Sequence, residues 1–461
     1  MAEAPTKPRS ARPRNGAEVE LTVDTFAQGG NGVARLDGYV LFVQGAIPGD
    51  RVRAVVTKSK RDYGEARTVE VLEPSPERIE PRAAHPGASW QVLPYERQLE
   101  EKQRQVSEAL TRIGHFEHPP VSRIIPAEEQ WRYRNKLEYS FGTDPGDGRL
   151  VLGFHRPGRW NDIDDVSDDI LASEAINGVR ERVKAWCREQ GLSTYDRRSQ
   201  SGFLRNLVVR EGRRSGQVQA RIVTSKGDFE SAQLAAAADA HGVLWTQVES
   251  VAETTREGKT DVIAGKGKID EELHTRGGDK LKFRISSEAF FQTNTEMAEV
   301  LYGVAGDLAG LTGREKVFDL FCGIGTIALT LSLQAGEVWG VEITEGAVAN
   351  AISNARLNGV DNARFFAGDV RTAMRPLVEQ AGQPDVVVVD PPRAGLSQKI
   401  VRRILEVEPQ KIVYVSCNPT TLAPNARQIV DAGYELKAVQ PVDMFPQTPH
   451  IEAVALLERS S

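Results

Sequence analysis

The sequence predicts a multidomain α/β chain: a small N-terminal β-barrel, an α+β middle region and a C-terminal, Rossmann-like parallel sheet. Three observations predict it. Residues 17–73 alternate apolar and polar positions in short runs broken by Gly, Asp and Pro, the pattern of half-buried strands in a small barrel. From about residue 286, short apolar runs alternate with helical stretches, which implies parallel strands joined by crossover helices. The last two runs, "YELKAVQPVDMF" and "HIEAVALLER", have no helix between them and should pair antiparallel.

In chain order, residues 1–16 are rich in Pro, Arg, Ala and Gly and are expected to be a disordered tail. They have no apolar core and do not form a secretory signal. Residues 17–75 form the barrel, with "IPGDRV" (47–52) as a turn between strands. Such barrels often bind oligonucleotides, and others are purely structural. Residues 76–285 make up the middle domain. There "YERQLEEKQRQVSEALTRIG" (95–114) places Leu99, Val106, Leu110 and Ile113 at near-helical spacing and stops at Gly114. "NKLEYSFG", "LVLGFH", "RNLVVREG" and "QVQARIV" read as strands, with helices at 172–190 and around 228–240. In the last domain, 286–461, "KVFDLF", "EVWGVEI", "ARFFAGD", "DVVVVD" and "KIVYVS" are successive parallel strands.

Composition narrows the function. With 40% hydrophobic and 26% charged residues, the chain is an ordinary globular protein. No segment approaches the roughly 18 apolar residues that span a bilayer, so no membrane association is expected. Three widely spaced cysteines exclude a disulfide framework and a four-cysteine zinc site, pointing to a reducing, cytoplasmic setting. The net charge of −6 counts against a protein that coats nucleic acid. Basic residues nevertheless cluster in the tail, in "WRYRNK" (131–136) and in "RRSQSGFLRNLVVREGRR" (197–214). Each cluster is either a solvated surface or a source of phosphate contacts.

Five parallel strands closed by an antiparallel hairpin is the layout of S-adenosylmethionine (SAM)-dependent methyltransferases. "FDLFCGIGTIALTLS" (318–332) is strand, glycine loop and helix, in which Gly323 and Gly325 let the backbone turn and approach a ligand. Glu342 ends the next strand, where a carboxylate can accept hydrogen bonds from ribose hydroxyls. The same glycines fit a dinucleotide fingerprint, so NAD stays open on this motif alone; Asp319 and the terminal hairpin favour SAM. Thr326, opening the next helix, and Asp369, after "ARFFAG", complete the candidate cofactor set at these strand ends. In "DVVVVDPPRAGL" a buried strand ends at Asp390, held by two prolines. Arg393 stands where amino-methyltransferases carry an aromatic residue, which disfavours exocyclic-amine methylation.

Asp390 and Cys417 end neighbouring parallel strands, and Glu452 opens the antiparallel last strand, so all three converge on one edge. Thiol, carboxylate base and SAM together suit methylation at carbon-5 of a uracil, which needs a thiolate at carbon-6 and a base for the carbon-5 proton.

With these residues in view, the chain from residue 17 onward resembles the RNA uracil-C5 methyltransferases, which make 5-methyluridine in tRNA and 23S rRNA. "SSEAFFQTN" (286–294), "SCNPTTLAPNAR" and "FPQTPHIE" match the family's domain-entry, nucleophile and general-base motifs. The resemblance implies a TRAM-like RNA-binding barrel at 17–73. It also implies that Gln292, Phe321, Glu342 and Asp390 line the SAM and substrate pocket, with Cys417 as nucleophile and Glu452 as base. With the barrel, it implies 23S rRNA over tRNA as substrate, and a monomer is expected. One departure is clear. Ribosomal members hold an iron–sulfur cluster on four cysteines, but His85 and Ala88 occupy the CGGC-type positions before "QVLPYERQ", and Asp169 stands at the fourth. No cysteine-ligated iron–sulfur cluster is therefore expected.

Overall fold

The computed structural model describes residues 12–156, 158–249 and 258–460. Residues 1–11 of the expected disordered tail lie outside the described residues. The chain divides into two compact units. One runs through Gln98 and includes Gln447–Pro449; the other comprises Leu99–Pro446 and His450 onward.

In the first unit, β1 (Glu18–Phe26), β2 (Gly32–Leu36), β3 (Tyr39–Gln44), β4 (Arg51–Ser59) and β5 (Tyr63–Glu73) close a barrel in the order β1-β2-β3-β5-β4. Alternate residues such as Leu21, Val23, Leu41, Val43, Val52, Ala54 and Val56 fill it, as the period-2 pattern requires. The "IPGDRV" turn is fixed by buried Asp50. Its carboxylate accepts from the Ile47 and Ser75 amides and from Arg78 at 2.6 Å. Burial alone would raise that carboxyl, but Arg78 and the two amides outweigh burial and hold it below the usual range. Most basic side chains on the strands have acidic partners: Arg35 with Asp24, Arg51 with Glu20 and Glu73, Arg53 with Glu70, Lys58 with Glu65.

The second unit starts within α1 (Tyr95–Arg112), which buries Val106, Ala109 and Leu110 in the C-terminal core. Ile113, expected on that apolar face, is exposed, because the helix has already ended at Arg112. Lys102 and Gln105 are buried in the unit instead. The middle sheet comprises β6 (Lys136–Thr143), β7 (Leu150–Arg156), β8 (Arg159–Asp165), β9 (Leu204–Gly212), β10 (Gln217–Thr224), β11 (Gly242–Gln247) and β12 (Lys259–Gly265). Its order is β12-β11-β10-β9-β6-β7-β8. Helices α2 (Glu174–Glu189) and α3 (Ser231–Ala238) supply its apolar cover. The hairpin β13 (Lys268–His274) and β14 (Lys280–Ser286) follows. Its Ile269, Leu273, Leu281, Phe283 and Ile285 join the core of the C-terminal sheet.

That sheet is entered through α4 (Thr295–Ala309). Then come β15 (Lys316–Leu320), α5 (Thr326–Ser332), β16 (Glu337–Glu342), α6 (Glu345–Leu357), β17 (Ala363–Ala367), α7 (Val370–Ala381), β18 (Val386–Val389), α8 (Gln398–Glu406), β19 (Lys411–Ser416) and α9 (Pro419–Val430). The hairpin β20 (Tyr434–Val442) and β21 (Glu452–Arg459) ends the chain. The order is β17-β16-β15-β18-β19-β21-β20, with five parallel strands and the terminal hairpin antiparallel, as expected. Among the described residues no helix is long and apolar enough to cross a membrane.

Candidate active site

The carboxyl ends of β15, β16, β18 and β19 form one edge, and β21 begins at it. After β15 the chain turns through three residues with left-handed backbone: Phe321 (φ 74°), Gly323 (φ 55°) and Gly325 (φ 86°). Glycine adopts that conformation freely; an aromatic residue there costs about 1–2 kcal/mol. The Phe321 and Cys322 amides both donate to the Val341 carbonyl, which holds the loop against β16. Cys322 is buried against Gly340, where an added Cβ would lie 2.9 Å from its sulfur. Its place is one of packing.

Glu342 at the end of β16 accepts from the Gly323 amide at 3.3 Å and the Thr344 amide at 2.8 Å, so its carboxylate lies at the loop. Beneath the loop, Asp319 is fully buried, and neither of its carboxyl oxygens has a hydrogen-bond partner among the described residues. Burial, reinforced by Asp390, pushes it up to about 8. Thr326 opens α5 beside the buried Tyr302 of α4, whose phenol is raised by burial and senses Asp390, Asp319 and Glu452. Gln292 is buried, and its backbone carbonyl accepts from Asn135 at 2.9 Å. Asp369 is engaged locally: it caps α7 through the Arg371 amide and pairs with the Arg371 side chain, which lowers its carboxyl.

At the centre, Ser416 of β19 pairs with Ala453 of β21. One step further along the antiparallel ladder sets Cys417 opposite Glu452. Asp390 follows β18, the parallel neighbour of β19. Burial, then Glu452 and Asp390, push the Cys417 thiol up to about 11, while the Arg393 guanidinium acts the other way. Glu452 is buried and raised well above the usual carboxylate range by burial and by Asp390. Burial brings Asp390 up to about 7.

The "SCNPTT" string reads locally as a helix start. Asn418 caps α9 by accepting from the Thr420 amide, and Pro419 takes the first helical position. The same helix clamps the loop after Asp390: Asn418 donates to the Arg393 carbonyl, and Asn425 bonds both the amide and the carbonyl of Leu396. Gly395 (φ 73°) leaves no room for a side chain, since a Cβ would lie 2.8 Å from Thr421 and 2.9 Å from Asn425. The segment leading to Glu452 is anchored by Lys102, which pairs with Asp443 at 2.6 Å with both groups buried. Tyr133 and Asn294 donate to the Pro446 and Met444 carbonyls. His450 is lowered to about 4 by burial and by Arg393, Arg134 and Lys102. It is a neutral imidazole at physiological pH.

Sequence reasoning named Arg393 only for what it excludes, gave His450 no role although it lies in the general-base motif "FPQTPHIE", and missed Tyr302, whose place in α4 carries no motif that sets it near Asp390 and Glu452. Of the positions associated with an iron–sulfur site, His85 accepts from the Gly87 amide and Ala88 is buried in the first unit. In the second unit, buried Asp169 accepts from the Tyr139 hydroxyl and the Leu171 amide.

The edge suits a cation. Asp319, Glu342, Asp390 and Glu452 face it, Asp319 has both oxygens unmatched, and Ile343 beside Glu342 is 68% exposed as an apolar wall. SAM, with its sulfonium and ammonium, fits that donor set.

Comparison with known proteins gives concordant results. Residues 94–460 match the model of the tRNA (uracil-5-)-methyltransferase family, and residues 12–69 match the TRAM domain. An uncharacterised RNA methyltransferase of Halalkalibacterium halodurans is 40% identical, covering 95% of this chain and 96% of the relative. One of Chlorobaculum tepidum is 38% identical over 99% of both. The structure of Pyrococcus abyssi tRNA (uracil-54, C5)-methyltransferase in complex with S-adenosyl-L-homocysteine is similar with a TM-score of 0.76 and 28% identity, over 95% of this chain and 100% of that one. The chain belongs to the tRNA (uracil-5-)-methyltransferase family and carries a TRAM domain.

Proposed function

We propose that this chain, an RNA methyltransferase of that family, forms 5-methyluridine with Cys417 as covalent nucleophile and Glu452 as general base. The observation that carries the reading is the pairing of Ser416 with Ala453, a register that, continued by one residue, brings Cys417 to Glu452, on the strand next to the one that ends at Asp390. Gln292, Phe321, Gly323, Gly325, Thr326, Glu342 and Asp390 would hold SAM, with Asp369 contributing from the end of β17. Bound there, SAM supplies an electrophilic methyl group. The target uridine is turned out of its helix to reach the cleft. Cys417 gives its proton to solvent as Sγ bonds carbon-6, and the ring electrons move onto O4 and carbon-5. Carbon-5 then takes the methyl group, with release of S-adenosyl-L-homocysteine that keeps the bonding pair on its sulfur. Glu452 then removes the carbon-5 proton, the carbon-5–carbon-6 double bond re-forms, and the Cys417 sulfur leaves to be reprotonated. The raised thiol supports a nucleophile kept protonated until a cationic cofactor offsets Glu452 and Asp390.

We propose 23S rRNA as the substrate, following the likeness to barrel-bearing ribosomal members, in the cytoplasm and with a monomeric enzyme. The second reading is tRNA, favoured by the likeness to the Pyrococcus abyssi tRNA enzyme over 95% of this chain. Nucleoside mass spectrometry on separated 23S rRNA and tRNA, from cells with the wild-type chain and with Cys417→Ala, decides between them. Loss of 5-methyluridine from 23S rRNA alone supports the proposal, and loss from tRNA alone moves the substrate. Methylation by purified Cys417→Ala at the wild-type rate would refute the chemistry.

A further inference from the structure

Three of the six arginines in residues 197–214 meet at a cavity that the chemistry above does not use. It holds about 220 Å³ in the middle domain, and Asn161, Tyr195, Arg197, Arg198, Arg205 and Asn206 contribute to its walls. A second, more open cavity of about 480 Å³ adjoins it, sharing Tyr195 and Arg205 and adding Lys226. Between them the Arg205 guanidinium lies 3.9 Å from the centre of the Tyr195 ring, and its Nε donates to Ser225 Oγ at 3.0 Å. That pair is a held planar platform that lines both cavities. Arg198 is also held: its backbone amide donates to Asp196, and its guanidinium donates to the Asn161 carboxamide oxygen at 2.9 and 3.0 Å. Of the three carboxylates in the two linings, Asp196 is thus bonded, Asp162 lies 3.7 Å from Arg159, and Glu249 lies 4.0 Å from Lys226.

Planar aromatic and guanidinium faces are what unstacked RNA bases stack on, and arginine clusters are what their phosphates meet. We propose that this paired cavity binds one unpaired ribonucleotide of the RNA substrate, its base on the Tyr195–Arg205 platform and its phosphate against Arg197 and Arg198. Burial lowers both Arg197 and Arg205, and each lowering is what an incoming phosphate would relieve. The volume agrees: the smaller cavity is below the roughly 300–1,000 Å³ that engulfs a drug-sized ligand, while the adjoining one falls within that range, so the pair has room for one nucleotide. The position agrees too. Asn206 and Arg210 project from the same face of β9, about 13 Å apart at four residues, and Arg210 donates to the carbonyl of Ala289, three residues before Gln292. A nucleotide held here is therefore a near neighbour of one entering the cleft.

The inference rests on the RNA-methyltransferase reading and adds a preference for a single-stranded element beside the target uridine. The test is direct binding of the full chain to labelled 23S rRNA and tRNA transcripts, with SAM-induced thermal shift as the folding control. Arg197→Ala combined with Tyr195→Leu should weaken RNA binding by about tenfold or more while the SAM shift is kept, and Tyr195→Phe, which keeps the ring, should bind like the wild type. Affinity within twofold of wild type for the double variant overturns the proposal. Should that variant not fold, 4-thiouridine crosslinking of the wild-type chain decides: crosslinks at residues 195–206 support the site, and crosslinks confined elsewhere overturn it. Protection of Arg197 by inorganic phosphate but not by RNA would make it a simple anion site and also overturn it. These readouts do not involve methyl transfer, so failure of the uridine chemistry would leave them interpretable.

Discussion

A thiol raised to about 11 is a poor nucleophile alone, so its neighbours decide the chemistry. Glu452→Gln keeps the thiol and the cleft but removes the base. It should lower turnover by roughly 10²–10⁴-fold and accumulate a methylated, covalent RNA adduct, visible on a denaturing gel. A variant that turns over normally would remove Glu452 from the mechanism. Asp390 and Asp319 give a pH signature. Their folded values, about 7 and about 8, lie above the ordinary 3.8. The folded chain thus binds more protons than the unfolded chain between those limits, and their contribution to stability falls as pH rises from about 4 to about 8. Ligand-free melting temperature should decline from pH 6 to 8, and Asp319→Asn should flatten the decline. The SAM-induced shift should grow over the same range, since a cation opposes the repulsion; a pH-independent shift in the wild type would contradict this. At this scale the sequence revealed which residues end which strands. It did not reveal that Phe321 takes a left-handed backbone, nor that the charge of Arg393 acts on Cys417, because both depend on loop geometry that no periodicity encodes.

At the scale of elements, the cleft depends on how firmly the 443–452 segment is held. Lys102 and Asp443 are both fully buried and paired. Removing one partner leaves a buried charge and costs about 3–5 kcal/mol, whereas replacing both with apolar residues is close to neutral. Lys102→Met should therefore melt well below wild type and lose activity through Glu452, and Lys102→Met with Asp443→Leu should regain most of the stability. Equal denaturation midpoints for wild type and Lys102→Met would show that the pair anchors nothing. The parallel strands and terminal hairpin were legible because buried β-runs and the missing crossover helix are local signals. The buried polar face of α1 was not, because an i, i+4 pattern identifies apolar faces and cannot foresee a lysine paired with a residue more than 300 positions away. Strands such as β8 and β12 also escaped, since "RWNDIDD" and "KTDVIAG" carry too little apolar alternation.

For the molecule as a whole, a net charge of −6 must be reconciled with an RNA substrate. The structure does this by dividing the basic residues. On the barrel strands most are matched by acidic partners, and Arg132 pairs with Asp168 through two bonds of 2.7 Å. Within 197–214, Arg210 is fully buried, Arg214 pairs with Glu299, and Arg197, Arg198 and Arg205 line the cavity. Composition could locate that cluster but not sort it, because the sorting depends on which face of β9 Arg205 and Arg210 occupy and on how the turns at either side place the others. With Arg197 and Arg198 supplying the main phosphate contacts, RNA affinity should fall about 7- to 12-fold between 50 and 200 mM salt. Titrations at several salt concentrations check this, and the 10³–10⁵-fold fall of a protein with 6–10 phosphate contacts would mean that the internally paired residues also engage RNA.

The central claim is the covalent step at Cys417, and trapping it is the most direct test. RNA carrying 5-fluorouridine presents a carbon-5 substituent that Glu452 cannot remove as a proton, so the adduct persists. Incubating the full chain with SAM and this RNA, followed by digestion and mass spectrometry, should yield a nucleotide-linked peptide modified at Cys417, and none from Cys417→Ala. If no adduct forms while unsubstituted RNA is methylated, or if the adduct lies on another residue, the account of this site is wrong.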